Sequence, residues 1–258
     1  MNVSPHGSGH VTIDGKMQAS LPSVSVFRDG GSVELIAIPE EGYQFAGWSG
    51  DTSGVNATTT VTMDCSKEIT ANFAIKEYVL TIKFTGNGYV TPEAGTHTYS
   101  YGSVVVVGAV PASGWSFDSW NGGVEDITLP ISKVAMNSDR TITANFTQNM
   151  YTLTLATEGG GNVTPAVGTH NYPEGTAVSI TALADSGWRF DGWSGTALDH
   201  ASTTTVVILD SDKTVVATFS SSFAIWWWVG GAIALAAIVW LIWYRKIGKR
   251  NDVANHPA

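Results

Sequence analysis

One motif of this chain occurs three times at a fixed interval. Gly42-Tyr43-Gln44-Phe45-Ala46-Gly47-Trp48 returns as Gly114-Trp115-Ser116-Phe117-Asp118-Ser119-Trp120, and again as Gly187-Trp188-Arg189-Phe190-Asp191-Gly192-Trp193. Phe73, Phe146 and Phe219 close the three units at an interval of 73 residues. A period of this size predicts a tandem array of small domains rather than one large core. It also predicts that the motif belongs to the fold, because that is what the units share.

The third unit is the clearest. Tyr151-Thr152-Leu153-Thr154-Leu155 alternates apolar and polar, as a half-buried strand does, and Gly159-Gly160-Gly161-Asn162 supplies a turn. Ala177 to Leu183 alternates again, and Thr203–Leu209 with Thr214–Phe219 reads as a closing hairpin. No stretch of a unit shows a 3.6-residue period. The second unit follows the same template, with Tyr78–Ile82 and Ser103–Val110 as its clearest strands. In the first unit the spacing puts Met1 on Leu153, Val3 on Leu155, Gly7 on Gly159 and Val11 on Val163, with a longer middle loop through Ser23–Gly31. The expected bounds are 1–74, 75–147 and 148–220. The linkers between them are short, which implies limited flexibility.

The chain's net charge is −9, with 13 Lys and Arg against 22 Asp and Glu. An acidic body argues against nucleic acid as a partner, since phosphate binding wants a basic face. Cys65 is the sole cysteine, so no disulfide forms within the chain.

Residues 223–244 form an uncharged apolar run. As a helix it would rise about 33 Å, enough for a hydrocarbon core of about 30 Å. Trp226, Trp227 and Trp228 flank one end; Trp240, Trp243 and Tyr244 flank the other, followed by Arg245 and Lys246. Aromatic belts followed by basic residues predict a single membrane-spanning helix, with residues 245–258 as a cytoplasmic tail and the lipid bilayer as a partner.

The aromatic-x-Phe-x-x-Trp signature, the Gly-x-Val-x-Pro turn and the closing Thr-Ala-Asn-Phe (Thr70–Phe73, Thr143–Phe146) resemble divergent InlB B-repeats of bacterial surface proteins. The resemblance covers nearly all of residues 1–220. It implies a small β-rich module, β-grasp-like as in better-studied relatives, and no catalytic residues. The expected fold is therefore mainly β, with three β-repeat domains followed by one C-terminal transmembrane helix.

Trp48, Trp120 and Trp193 are candidate ligand contacts, because an aromatic face can stack on a sugar. The competing reading, and the favoured one, places them in the core beside the preceding Phe. The acidic turns around Asp64, Asp139 and Asp210 offer too few oxygens for calcium. His97 and His170 lack partners at metal-ligand spacing. No nucleophile motif or phosphate loop appears. No enzyme activity, cofactor or metal is expected.

The leading expectation is a membrane-anchored, single-pass cell-surface protein whose extracellular repeats act as a spacer or adhesion module. The alternatives are a surface receptor for a glycan or protein, and the anchoring end of a larger secreted enzyme. Met1 falls inside the first expected strand with no export signal before it, which leaves open an upstream start, a fragment, or an unusual export route.

Overall fold

The structure is a computed structural model and describes residues 1–18 and 22–222. Every regular element among them is a β-strand. There are seven strands per repeat. The first module contains β1 (Asn2–Ser4), β2 (Gly9–Ile13), β3 (Lys16–Met17), β4 (Gly31–Pro39), β5 (Tyr43–Gly50), β6 (Thr58–Met63) and β7 (Ile69–Ile75). The second contains β8 (Glu77–Thr85), β9 (Gly88–Thr91), β10 (Gly95–Ser100), β11 (Val104–Pro111), β12 (Trp115–Asn121), β13 (Ile131–Ala135) and β14 (Arg140–Gln148). The third contains β15 (Met150–Glu158), β16 (Gly161–Thr164), β17 (Gly168–Pro173), β18 (Ala177–Ala184), β19 (Trp188–Gly195), β20 (Thr204–Ile208) and β21 (Lys213–Ser221).

Each module packs two sheets around one core. In the second, the four-stranded sheet runs β10-β8-β14-β12 and the three-stranded sheet β13-β11-β9. The third repeats this with β17-β15-β21-β19 and β16-β18-β20. First and last strands of a module lie side by side and parallel: Leu80 pairs with Arg140, and Leu153 with Lys213. That pairing closes each unit on itself. Period-two alternation then sends Val105, Val107 and Ala109 of β11 inward, beside Leu80, Ile82, Ile142 and Ala144. No helix crosses a sheet among the described residues, so the β-grasp expectation gives way to a two-sheet module.

The expected transmembrane helix is corrected here. Residues 223–244, with the anchor residues Trp226, Trp227, Trp228, Trp240, Trp243, Tyr244, Arg245 and Lys246, lie outside the described residues. Among the described residues, no helix is long and apolar enough to cross a membrane. The strands there bury alternate residues in sheet cores. Single-pass anchoring, the bilayer as partner and the cytoplasmic C-terminus are therefore not carried into the functional reading below.

Among the described residues, 1–147 form one compact unit and 148–222 another. Within the first unit, only Lys76 separates β7 from β8. Its N–H donates to the Gly42 carbonyl (2.7 Å), and its own carbonyl accepts the Tyr101 N–H (2.8 Å). The Tyr101 hydroxyl donates to Glu41 Oε1 at 2.7 Å. That bond to a carboxylate, chiefly, raises the Tyr101 phenol pKa above its usual value.

The first module departs from its siblings at its start. Its sheets are β1-β7-β5 and β3-β2-β4-β6. Val3 pairs with Ala71, whereas Leu155 pairs with Val215, two places earlier on the equivalent strand. Met1 exchanges backbone hydrogen bonds with Ser23 (both 3.0 Å), the position that Leu155 holds against Gly168. Met1 thus takes the place of Leu155, not of Leu153 as the spacing predicts. The turn between β1 and β2, residues 5–8, takes up the two residues. An even shift keeps Val3 facing the core, where it is buried.

Candidate functional site

In its first and third copies the motif is built around a bulge. Residues three apart on a regular strand face opposite sides. Yet Phe45 and Trp48 touch at 5.2 Å between ring centroids, and Phe190 and Trp193 at 5.3 Å. The register of β5 on β7 slips between Phe45 and Gly47, and that of β19 on β21 between Phe190 and Gly192. The glycines there have φ of 147° and 157°, which a side chain rarely adopts. The extra residue turns both aromatic rings inward. The closing phenylalanine completes the cluster, with Phe73 at 5.7 Å from Phe45 and Phe219 at 5.7 Å from Phe190.

The three candidate tryptophans sit in these clusters. Trp48, Trp120 and Trp193 are 5%, 1% and 4% exposed, so none offers a face to solvent. Each indole N–H is spent on a loop carbonyl: Asn56 at 2.9 Å, Leu129 at 3.1 Å and Ser202 at 2.8 Å. Each backbone N–H holds the same loop, through Gly54, Ile127 and His200 (all 2.8 Å). The tryptophan is a two-point staple between the sheet and the loop that follows it.

A carboxylate orders two of these loops. Asp126 Oδ1 accepts the Thr128 N–H (2.8 Å) and hydroxyl (2.7 Å). Asp199 Oδ1 accepts the N–H groups of Ala201 (2.9 Å) and Ser202 (3.2 Å). Hydrogen bonds donated to the ionised form, foremost from the Thr128 and Ala201 N–H groups, hold both pKa values below 3.8. A carboxylate with a depressed folded pKa stabilises the fold fully above its unfolded pKa, and that contribution is lost as pH falls through the folded value. Melting temperature is therefore expected to fall as pH drops below about 3.8. The double variant Asp126→Asn/Asp199→Asn should start lower at pH 7 and show a flatter acid limb. Parallel limbs in a pH series of thermal melts would contradict this.

The remaining candidates make local contacts. His97 Nε2 donates to the Glu93 carbonyl and His170 Nε2 to that of Ala166, both at 2.7 Å. Lys67 pairs with Asp64 at 2.6 Å and Lys213 with Asp210 at 2.5 Å, so these turns neutralise their own acids. Among the described residues, no group of three or more His, Cys, Asp or Glu is arranged to hold a metal ion.

The surface that stands apart was not a sequence candidate. The outer face of β9-β11-β13 presents Tyr89 (73% exposed), Val104 (60%), Val106 (58%), Val110 (59%) and Ile131 (68%). Register makes them neighbours: Val110 lies opposite Tyr89, Gly108 opposite both Thr91 and Ile131, and Val104 opposite Ala135. Ile127 and Leu129 are exposed on the loop leading into β13. Lys133 lies opposite Val106 and pairs with Glu125 at 3.7 Å. At the positions of Val104 and Val106 the first module has Ser32 and Glu34, opposite Thr62 and Thr60. The third has Ala177 and Ser179 there, and Thr181 bonds Thr204 across the strands at 3.2 Å. The apolar outer face is thus most extensive in the second module; the third exposes Leu183 (70%) and Ile208 (45%) there, and the first only Ile38 (36%). Contiguous exposed apolar area of this kind marks an interaction site.

A comparison with curated proteins gives no match. The divergent InlB B-repeat domain model matches residues 1–77, 78–150 and 151–222, and so spans all three modules. That family is one of adhesion and spacer modules without catalysis, so the protein is not an enzyme. The chain belongs to the divergent InlB B-repeat domain family.

Proposed function

We propose that the chain is an adhesion-type surface repeat protein whose middle module binds a polypeptide partner on the outer face of β9-β11-β13. The contiguous apolar face, most extensive in this copy, is the observation that carries the reading. Its chemistry favours protein over glycan. Branched aliphatic side chains supply apolar area without the donors and acceptors that sugar hydroxyls need, and Tyr89 is its one aromatic ring. The partner need only present a complementary apolar patch.

The sibling modules supply a fold-compatible test. Val104→Ser with Val106→Glu installs the residues of the first module at exposed strand positions. The melting temperature should stay within about 2 °C, since such surface changes cost roughly 0.5 kcal/mol or less. Wild-type chain is expected to bind spots on an extracellular-protein array and to lose them by tenfold or more in the double variant. Binding confined to a glycan array, or protein binding unchanged by the substitutions, would sink the reading.

A further inference from the structure

We propose that the middle module is built to carry tension, with the paired strands β8 and β14 as a clamp that resists pulling along the chain. The inference stands independently of what binds the outer face. The chain enters this module through β8 and leaves it through β14. Lys76 alone separates β8 from β7, and Asn149 alone separates β14 from β15. Lys76 is itself held at both backbone groups, donating to the Gly42 carbonyl and accepting the Tyr101 N–H. A pull transmitted along the chain therefore meets little slack before it loads Glu77 at one end of the module and Gln148 at the other.

Topology sets the direction in which that load acts. Leu80–Thr85 lies parallel to Arg140–Asn145 and in register with it. In a parallel pair, the start of one strand and the end of the other stand at opposite ends of the ladder. Drawing Glu77 backward and Gln148 forward slides the strands past each other along their axes. The bonds of a parallel ladder are evenly spaced, so they share the load and fail together. An antiparallel pairing of the same strands would put both loaded ends side by side, and the ladder would peel open bond by bond. Sliding by one residue, about 3.3 Å, offers no new register to rest in, because it would turn the buried Leu80, Ile82, Ile142 and Ala144 outward. Neither strand lies at an edge: β10 flanks β8, and β12 flanks β14.

Side chains brace both ends of the ladder. Where load enters β8, Asp139 Oδ1 accepts the Val79 N–H at 2.8 Å. This charge-assisted bond stands one place ahead of the first backbone pair, Leu80 with Arg140. At the far end, Thr85 Oγ1 donates to Asn145 Oδ1 at 3.0 Å. The third module carries the same parallel ladder, Leu153–Glu158 on Lys213–Thr218, and the same entry brace, with the Thr152 N–H on Asp212 Oδ1 at 2.8 Å. The brace thus recurs on the strand through which tension arrives.

The test pulls single molecules of the full chain in two directions, in a Cys65→Ser background. Handles on Glu77→Cys and Gln148→Cys load the ladder in shear. Handles on Glu77→Cys and Ser138→Cys load it from one end. All three positions are exposed. At one pulling speed the shear pair is expected to open at roughly threefold the force of the peeling pair, because the load falls on the whole ladder rather than on its first bond. Under constant shear load, Asp139→Ala should speed opening roughly tenfold, the effect of one bond to a charged group. Gly102→Ala, which destabilises a turn outside the ladder, should leave that rate within about twofold. Equal forces in the two directions would overturn the proposal. So would equal acceleration by the two variants, which would assign the resistance to overall stability instead.

Discussion

Trp120→Ala should unfold the middle module under conditions in which the wild-type chain is fully folded. Trp120 is the bulkiest of the fully buried side chains and joins the rings of Phe117 (6.0 Å) and, through it, Phe146 (6.3 Å from Phe117). Truncating a buried tryptophan costs about 3–5 kcal/mol from lost transfer energy and residual cavity. A module of this size has only about 4–10 kcal/mol to lose. The loss has a second part, because the Leu129 carbonyl forfeits its indole donor at 3.1 Å and the loop after β12 loses a tether. Trp120→Phe separates the two: it keeps most of the apolar area and leaves that carbonyl without its donor, for about 1–3 kcal/mol. Urea unfolding followed by far-UV circular dichroism, with limited proteolysis to locate the module that opens, measures both. An alanine variant less than about 1.5 kcal/mol destabilised would remove Trp120 from the centre of the core.

The strands and the inward aromatics were legible because their physics is local. Tyr151–Leu155 alternates, and alternation on a strand means one buried face. The Phe-x-x-Trp spacing looks inconsistent with a strand until a bulge is allowed, and Gly47 and Gly192 are the residues that allow it. The apolar face of the middle module was not legible for a specific reason. Val104-Val105-Val106-Val107 is a continuous apolar run, which in a sequence reads as a strand covered on both sides. Only the sheet order shows β11 with a core on one side and solvent on the other. The register of the first module's opening strand was hidden by the assumption of constant spacing. The turn between β1 and β2, residues 5–8, is two residues longer than its counterparts, so Met1 stands where Leu155 stands. Position along the chain and position in the sheet diverge at a turn, where no periodicity constrains the count.

The second large effect separates two demands that both select glycine. Gly86 and Gly102 sit in the same module with φ of 78° and 79°. A side chain at Gly102 would meet nothing within 4 Å, whereas at Gly86 it would come within 2.3 Å of the Phe146 carbonyl oxygen and 2.8 Å of the Trp115 ring. Gly102→Ala therefore carries only the left-handed backbone penalty, about 1 kcal/mol. Gly86→Ala adds a collision with the backbone of β14, which is held by its pairing with β8 and cannot yield without breaking that register. Overpacking of this kind costs about 1–3 kcal/mol more, which brings the expected loss to about 2–4 kcal/mol. The comparison is internal, because both variants make the same change in the unfolded chain and at nearly the same φ. Equal midpoints in paired urea titrations would show that conformation alone selects Gly86. A gap of the expected size would show that it is glycine because β14 passes directly over it, so that the turn after β8 closes the module only when no side chain stands between them.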